Sequence, residues 1–322
     1  MFTVIVTIGP SLLDQTKLNT INELGNCIFR INGAHADRLM AKNIITKVRL
    51  FLPHAKIMID LPGNKVRTAN LSEAIRLKKG ECFSLDQANI NFPDFYKYVK
   101  KGDHIYANDS IFHFVVEEVE GTSIIFNSHS DGLLLTNKGL HLQGVNQNFP
   151  FLFQRDQDLI QLAIEENIDY LSLSFVRSVK DVLEAKDILE QHPHVGKKPK
   201  IVTKVETMSA VENLDEILKV TEMINVDRGD LSTDVGMMQL SKFQSLIVSK
   251  GLAAGKKVFL ATQFLKSMEE NPLPFIAELM DLHNTIKSGV TGIQLSEETA
   301  VGKYPYECVK LIFDSVQVLL GT

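Results

Sequence analysis

The feature that most constrains the fold of this chain is a repeated alternation of short apolar runs with longer segments of helical apolar spacing. Strand-like runs are predicted at residues 2–7, 27–31, 56–60, 170–174, 201–204, 223–226, 258–260 and 292–295. Eight strands that alternate with eight helices favour an α/β fold, a closed (β/α)8 barrel of the TIM type, over a doubly wound sheet. Neither GxGxxG nor GxxxxGK[ST] occurs, so the sequence indicates no Rossmann or P-loop nucleotide site.

Capping and helix-breaking residues set the bounds of the predicted helices. The first helix begins near Ser11 or Asp14 and ends at Gly25, and the second spans residues 36–51, before Pro53. The later helices are predicted at residues 155–166, at 178–191, from the fifth strand through residue 220, at 237–254, at 274–287 and from residue 305 onward. Residues 228–230, Arg-Gly-Asp, are predicted to form a turn.

The alternation is interrupted after the third strand. Residues 61–63, Leu-Pro-Gly, break the pattern, and residues 69–144 contain short runs separated by glycine and asparagine. Within them, residues 111–120 and 121–126 predict a β-hairpin. We therefore predict a barrel built from residues 1–68 and 145–322, with a small inserted β domain at residues 69–144.

Composition excludes several classes of protein. A net charge of -5, from 34 Lys and Arg against 39 Asp and Glu, argues against a nucleic-acid partner. The first residues lack a basic leader and read as a strand, so we expect neither a signal peptide nor a membrane span. Cys27, Cys82 and Cys308 are widely spaced and odd in number, which favours a reducing, cytoplasmic location, with all three thiols buried.

The stretch from residue 201 to residue 230 carries the strongest chemical signal. Lys204 and Glu206 lie at the end of the fifth strand, and Asp230 follows the sixth. The carboxyl ends of barrel strands are where active sites form. One cation with two carboxylates suits a magnesium ion that holds a phosphate. The alternative is a rim of structural salt bridges.

Further polar residues follow the other predicted strands. Because these strand ends meet at one face of a barrel, their number favours a charged, phosphate-binding cleft over structural pairing. The residues are Arg30 and Asn32 after strand two, Asp60 after strand three, Thr262 after strand seven, and Ser296 with Glu298 after strand eight.

In order and spacing these segments resemble the pyruvate kinase family along nearly the whole chain. The resemblance implies a barrel with an inserted β domain that closes as a lid. The matching segments are Thr7-Ile8-Gly9-Pro10, Arg30-Ile31-Asn32 with His35, Asp60 with Arg67-Thr68, Ser174-Phe175-Val176-Arg177, Thr203-Lys204-Val205-Glu206, Arg228-Gly229-Asp230-Leu231, Ala261-Thr262-Gln263 and Leu295-Ser296-Glu297-Glu298-Thr299-Ala300.

The resemblance also implies roles for individual residues. Glu206 and Asp230 would hold Mg²⁺ or Mn²⁺, and Lys204 would neutralise the phosphoryl group in transfer. Arg30 and Arg67 would bind phosphate oxygens, Asn32 and His35 would complete the substrate and phosphate site, and Gly229, Asp230 and Thr262 would bind the substrate carboxylate. Thr262 would also serve protonation of the enolpyruvate methylene through water. Ser296 and Glu298 would form the far wall, or serve only supporting hydrogen bonds.

Three departures from the family pattern concern a monovalent cation. Ala34 and Leu61 stand where hydroxyl groups help to bind potassium, and Lys65 stands where a glutamate is usual. The resemblance implies that Lys65, beside Asp60, substitutes for the ion, so that potassium is not required. The alternative is that Lys65 is a solvated loop lysine.

Other departures concern the second substrate. Met40, Phe275, Ile276 and Glu297 replace residues of the family's ADP side. The leading hypothesis is Mg²⁺-dependent phosphoryl transfer from phosphoenolpyruvate to ADP, giving pyruvate and ATP. The alternatives are a different acceptor in a specialised biosynthetic pathway, or a non-catalytic binding module. The family's C-terminal regulatory domain is not represented, so we expect no activation by fructose bisphosphate, and a homodimer is one alternative for the assembly.

Overall fold

A computed structural model of the chain describes residues 1–108, 111–142, 149–191 and 196–321. These residues form two compact units, Met1–Gly63 with Phe151–Thr322, and Asn64–Pro150. The predicted boundary between residues 144 and 145 lies among residues 143–148, outside the described residues.

The first unit contains a closed barrel of eight parallel strands, which confirms the predicted fold class. The barrel strands are β1 (Thr3–Thr7), β2 (Cys27–Asn32), β3 (Lys56–Asp60), β11 (Tyr170–Leu173), β12 (Lys200–Val205), β13 (Met223–Asp227), β14 (Lys257–Ala261) and β15 (Gly292–Leu295), and strands β4 to β10 belong to the second unit. Around the barrel the strands run in the order β1-β15-β14-β13-β12-β11-β3-β2.

Helices follow the strands around the barrel. In the described residues no helix is both long and apolar enough to cross a membrane. The helices are α1 (Gln15–Glu23), α2 (Arg38–Phe51), α3 (Gln154–Glu165), α4 (Val179–Gln191), α5 (Met208–Glu212), α6 (Leu214–Val220), α7 (Arg228–Val235), α8 (Leu240–Ala253), α9 (Ile276–Lys287), α10 (Glu297–Ala300) and α11 (Pro305–Leu320).

Two helical predictions were wrong. The segment that ends at Val220 forms two short helices, α5 and α6, which are separated at Asn213. The predicted turn at residues 228–230 is the first turn of α7, because the side chain of Asp227 accepts a hydrogen bond from the backbone N–H of Gly229 and caps the helix.

The interior of the barrel is apolar at its amino-terminal end. Side chains alternate along a strand, so every second residue points inward. The core between strands and helices forms a second, larger cluster that includes Leu18, Ile45 and Leu260. The buried cluster inside the barrel consists of Ile5, Ile28, Met58, Val202, Met223 and Phe259.

The second unit contains the strands β4 (Ile75–Leu77), β5 (Cys82–Asp86), β6 (His104–Ala107), β7 (Phe112–Glu120), β8 (Ser123–Ser128), β9 (Gly132–Leu134) and β10 (Leu140–Leu142). Its five-stranded sheet has the order β10-β6-β7-β8-β5, and β7 and β8 form an antiparallel pair that turns at Gly121, as the hairpin pattern predicts. Cys82 is exposed rather than buried as predicted, because it begins the edge strand β5.

Candidate active site

Polar side chains replace apolar ones inside the barrel toward the carboxyl ends of the strands. Each lies two residues beyond a member of the apolar interior cluster, so each points in the same inward direction. Arg30 follows Ile28, Asp60 follows Met58 and Lys204 follows Val202, each two residues later on the same strand. All three polar side chains are buried.

Lys204 lies at the centre of this polar layer. Its ammonium nitrogen is 3.0 Å from Glu206 Oε2, 3.1 Å from Asp227 Oδ2 and 3.9 Å from Asp60 Oδ2. Burial alone would lower the pKa of Lys204, but these carboxylates and that of Asp230 outweigh burial and hold the pKa well above its ordinary value. Lys204 is therefore a fixed, buried positive charge.

The two carboxylate oxygens of Glu206 have different partners. Oε1 accepts a hydrogen bond from the backbone N–H of Phe175 at 2.6 Å. Oε2 contacts the Lys204 ammonium as an ion pair but accepts a well-formed hydrogen bond from no described residue. Burial raises the pKa of this carboxyl to about 8, with Asp230 and Asp227 adding to the shift and Lys204 opposing it.

Three carboxylates in this layer meet the geometric needs of a divalent cation. Within the described part of the chain, one oxygen from each of Glu206, Asp227 and Asp230 lies within 4.8 Å of the others. Carboxylate oxygens are the ligands that Mg²⁺ prefers. The buried Glu206 Oε2 faces the Lys204 ammonium at 3.0 Å and accepts no hydrogen bond from another described residue, so it has lone-pair capacity left for a cation. The set therefore fits Mg²⁺ or Mn²⁺.

Asp227 was missed by the sequence analysis. The predicted strand ended at Val226, one residue before Asp227, whereas β13 extends through Asp227. The period-two alternation offered the missing signal, because Met223 and Asn225 point inward and residue 227 is next in that series. Burial opposes ionisation of Asp227, but Lys204 and the hydroxyl of Thr262 hold its pKa below the ordinary value.

Thr262 follows β14 in a strained backbone conformation. Its φ is 79° and that of Gln263 is 57°, values that a β-branched residue such as threonine rarely adopts. The guanidinium of Arg228 donates to the Thr262 carbonyl oxygen at 2.5 Å and 3.0 Å, and the Thr262 hydroxyl donates to Asp227 Oδ1 at 2.6 Å. A Cβ added to Gly229 would lie 3.1 Å from Thr262 Cγ2, so glycine permits this close approach.

Arg30 and Asp60 form a buried pair on neighbouring strands. Arg30 donates from Nε to Asp60 Oδ2 at 2.8 Å and from Nη1 to the Thr7 hydroxyl at 2.8 Å. Its Nη2 lies 2.6 Å from the same Asp60 oxygen. These contacts, two to one Asp60 oxygen and one to Thr7, fix the guanidinium plane at the edge of the polar layer.

Comparison with known proteins agrees with this geometry. The family model described as "Pyruvate kinase, barrel domain" matches residues 2–309. The chain belongs to the pyruvate kinase family. It is 33% identical to the pyruvate kinase of Thermococcus litoralis over 323 residues, covering 96% of this chain and 67% of that protein. It is 33% identical to the Thermotoga maritima pyruvate kinase over 323 residues, with 96% and 69% covered, and 32% identical to the Clostridium acetobutylicum pyruvate kinase over 320 residues, with 95% and 67% covered.

The barrel brings together the central residues that resemblance to pyruvate kinases predicted. Lys204, Glu206, Asp230 and Thr262 all contact or adjoin the charged cluster around Asp227. On the far wall, Glu298 is buried and accepts the backbone N–H of Ser296 at 2.8 Å, and burial raises its pKa.

For four predicted site residues the described contacts are local and do not test the predicted roles, which stay predictions. Asn32 Oδ1 accepts the backbone N–H of Ala34 at 3.1 Å, and His35 is exposed on the loop after β2. Arg67 and Lys65 belong to the second unit. There Arg67 donates from its backbone to Asn91 Oδ1 at 2.7 Å, and Lys65 lies beside Gly139.

Proposed function

We propose that this chain transfers a phosphoryl group from phosphoenolpyruvate to ADP in a Mg²⁺-dependent reaction that yields pyruvate and ATP. The observation that carries the proposal is the buried Lys204 ammonium, set among Glu206, Asp227 and Asp230 at the carboxyl end of the barrel. Phosphoryl transfer asks a protein mainly for positioning and for charge stabilisation, and this cluster supplies both.

Glu206 and Asp230 would hold the divalent ion. When bound, that ion supplies positive charge that offsets the charge of phosphoryl and enolate oxygens. Lys204 places a second, permanent positive charge in the same layer, where low solvent access strengthens its effect. The N-terminal turn of α7, at Gly229 and Asp230, is suited to the substrate carboxylate. Because the Gly229 N–H already donates to Asp227 Oδ1 at 3.3 Å, the predicted contact of Gly229 with the substrate requires that N–H to be shared.

A monovalent cation is not needed in this proposal. Ala34 has no side-chain oxygen, and Leu61 is apolar and buried, so neither offers a ligand to potassium. Asp60 Oδ2 is already paired with Arg30 at 2.6 Å. Lys65 would supply the missing charge from the loop that follows Asp60.

A second candidate function keeps phosphoenolpyruvate as donor but uses a different acceptor. Phe275 and Ile276, where the family pattern has a polar pair, expose 66% and 81% of their surface at the start of α9. Large exposed apolar side chains suit a less polar acceptor than the phosphates and ribose of ADP.

Phosphorus NMR separates the candidates. The protein is incubated with phosphoenolpyruvate and Mg²⁺, alone and with each of a panel of acceptors that includes ADP. Growth of ATP resonances with ADP supports the first proposal, and phosphoryl transfer to another acceptor with none to ADP supports the second. Stable phosphoenolpyruvate with every acceptor, in a protein that binds Mn²⁺, would favour the non-catalytic alternative.

A further inference from the structure

Asp227 connects two side chains that belong to different strands. Its Oδ1 accepts the Thr262 hydroxyl at 2.6 Å, and its Oδ2 lies 3.1 Å from the Lys204 ammonium. Oδ1 is also 3.3 Å from the backbone nitrogen of Gly229. The side chain is thus engaged on both oxygens, by a hydroxyl on one side and by a buried cation on the other.

We propose that Asp227 is a positioning residue that sets the direction of the Thr262 hydroxyl for proton transfer at the methyl carbon of the substrate. The inference rests on the proposed function, because it assumes that enolpyruvate and pyruvate interconvert in this cleft. It assigns a further role to the member of the three-carboxylate cluster whose two oxygens are engaged by Thr262 and by Lys204, and it leaves Glu206 and Asp230 as the two predicted metal ligands.

The direction of the hydroxyl follows from hydrogen-bond chemistry. A threonine hydroxyl has one hydrogen and two lone pairs, and an ionised carboxylate only accepts hydrogen bonds. The contact between Thr262 and Asp227 therefore uses the hydroxyl hydrogen, and the lone pairs of Thr262 Oγ1 remain as acceptors. An acceptor in that place holds a water molecule by one of its O–H groups.

This arrangement gives a balanced proton step. In enolisation of pyruvate, the methyl C–H bond breaks and its electron pair forms the C=C bond. The π electrons of the C=O bond then move onto the carbonyl oxygen, which would face the Lys204 ammonium. The proton passes to the water on Thr262 Oγ1, which becomes hydronium beside the Asp227 carboxylate. In the reverse direction the hydronium returns a proton to the enolpyruvate carbon and becomes water again.

The backbone supports the same role for Asp227. Thr262 holds a φ of 79°, and the Arg228 guanidinium donates to its carbonyl oxygen. These contacts determine where the residue lies but leave rotation of its side chain free. The bond to Asp227 Oδ1 removes that freedom, since it selects one rotamer and one hydroxyl direction.

The test compares Asp227→Ala, Thr262→Val and the double variant with the unaltered protein. Exchange of the pyruvate methyl hydrogens is followed by proton NMR in deuterium oxide with Mg²⁺ and inorganic phosphate. Mn²⁺ affinity by electron paramagnetic resonance and the urea midpoint are measured beside it. Asp215→Ala is the matched control, because Asp215 is a carboxylate that pairs with exposed Lys250 at 2.7 Å.

We expect each single variant to slow methyl exchange by roughly 100-fold, the usual size for one oriented proton-transfer group. If Asp227 acts through Thr262, the double variant is no slower than Thr262→Val by more than about 3-fold, because coupled residues are not additive. Thr262→Ser restores most of the exchange when Asp227 is present and little when it is absent. Mn²⁺ affinity stays within about 3-fold in Asp227→Ala, since Glu206 and Asp230 remain.

Four results would overturn the inference. Unchanged exchange in Asp227→Ala would exclude a role in proton transfer, and a double variant that shows the product of the two single losses would show that Asp227 acts independently of Thr262. A parallel fall of exchange and Mn²⁺ affinity would make Asp227 a metal ligand instead. Absence of exchange in the unaltered protein would refute the proposed function itself, and the inference with it.

Discussion

Replacement of Lys204 by methionine tests the charge balance of the site most directly. Methionine keeps a flexible chain of similar length, so the change removes the ammonium and little packing. The ammonium lies 3.0 Å from Glu206 and 3.1 Å from Asp227. At an effective dielectric constant of about 20, each contact at this distance carries roughly 5 kcal/mol of gross attraction, most of which offsets the cost of burying the charges.

The net effect on stability is smaller than the gross attraction but still large. Loss of one partner from a buried ion pair destabilises by roughly 3–5 kcal/mol, because the remaining charges stay buried and repel each other. Urea unfolding followed by circular dichroism measures the difference. Millimolar Mg²⁺ or Mn²⁺ should return part of the loss, since a divalent cation replaces the missing charge. Lys250→Met is the control, because its partner Asp215 is exposed and the pair contributes at most about 1 kcal/mol.

Activity and binding should separate in the same variant. Phosphoryl transfer is expected to fall by roughly 10³-fold, about 4 kcal/mol of transition-state stabilisation, while phosphoenolpyruvate still binds. Turnover comes from the phosphorus NMR assay and binding from calorimetry. A variant that unfolds at the urea midpoint of the unaltered protein and keeps more than about a tenth of its turnover would show that Lys204 is a structural rim residue.

Three further predictions address the metal, the pH dependence of stability and the monovalent cation. Glu206→Gln and Asp230→Asn should each bind oxalate with Mg²⁺ poorly, and calorimetry that shows equal binding to all three proteins would remove the metal assignment. Burial raises the pKa of Asp156 to about 6, so the folded state keeps a proton that the unfolded chain loses near pH 4. The free energy of unfolding should therefore fall by up to roughly 3 kcal/mol as pH rises from about 4 to 6. A similar fall in Asp156→Asn would contradict this assignment. Activity of the unaltered protein should be equal in potassium and tetramethylammonium buffers of matched ionic strength. Lys65→Glu should lose its activity unless potassium is added, and should then recover only part of it. Strong potassium activation of the unaltered protein would show that Lys65 does not replace the ion.

The barrel could be predicted because its signals are local. Each barrel strand shows a short apolar run, helices such as α1 and α2 begin at aspartate caps, and Lys204, Glu206 and Thr262 fall where apolar runs end. The helix α7 could not be predicted from the sequence, since Arg-Gly-Asp has a turn-like composition and glycine is a poor helix former. It forms because Asp227 caps its first turn and Leu231 is buried in the core.

The backbone conformation of Thr262 could not be predicted from the local sequence either. A threonine with φ of 79° opposes the intrinsic preference of its own backbone, so no propensity indicates it. The contacts that hold it come from Arg228 and Asp227, about 35 residues earlier in the chain. Departures from local preference of this kind are expected where a fold serves a site rather than its own stability.

The charges of the polar layer identify what the cleft can accept. Arg30 and Asp60 neutralise each other as a pair. That leaves the single positive charge of Lys204 against three carboxylates, Glu206, Asp227 and Asp230, a surplus of two negative charges when all are ionised. A surplus of two matches one divalent cation. Glu206, whose pKa burial and its neighbours raise, is the member that would take a proton in place of that cation. Since buried charge is tolerated only when it is compensated, the surplus supports the proposal that this layer binds a divalent ion, and it argues against a rim of purely structural salt bridges.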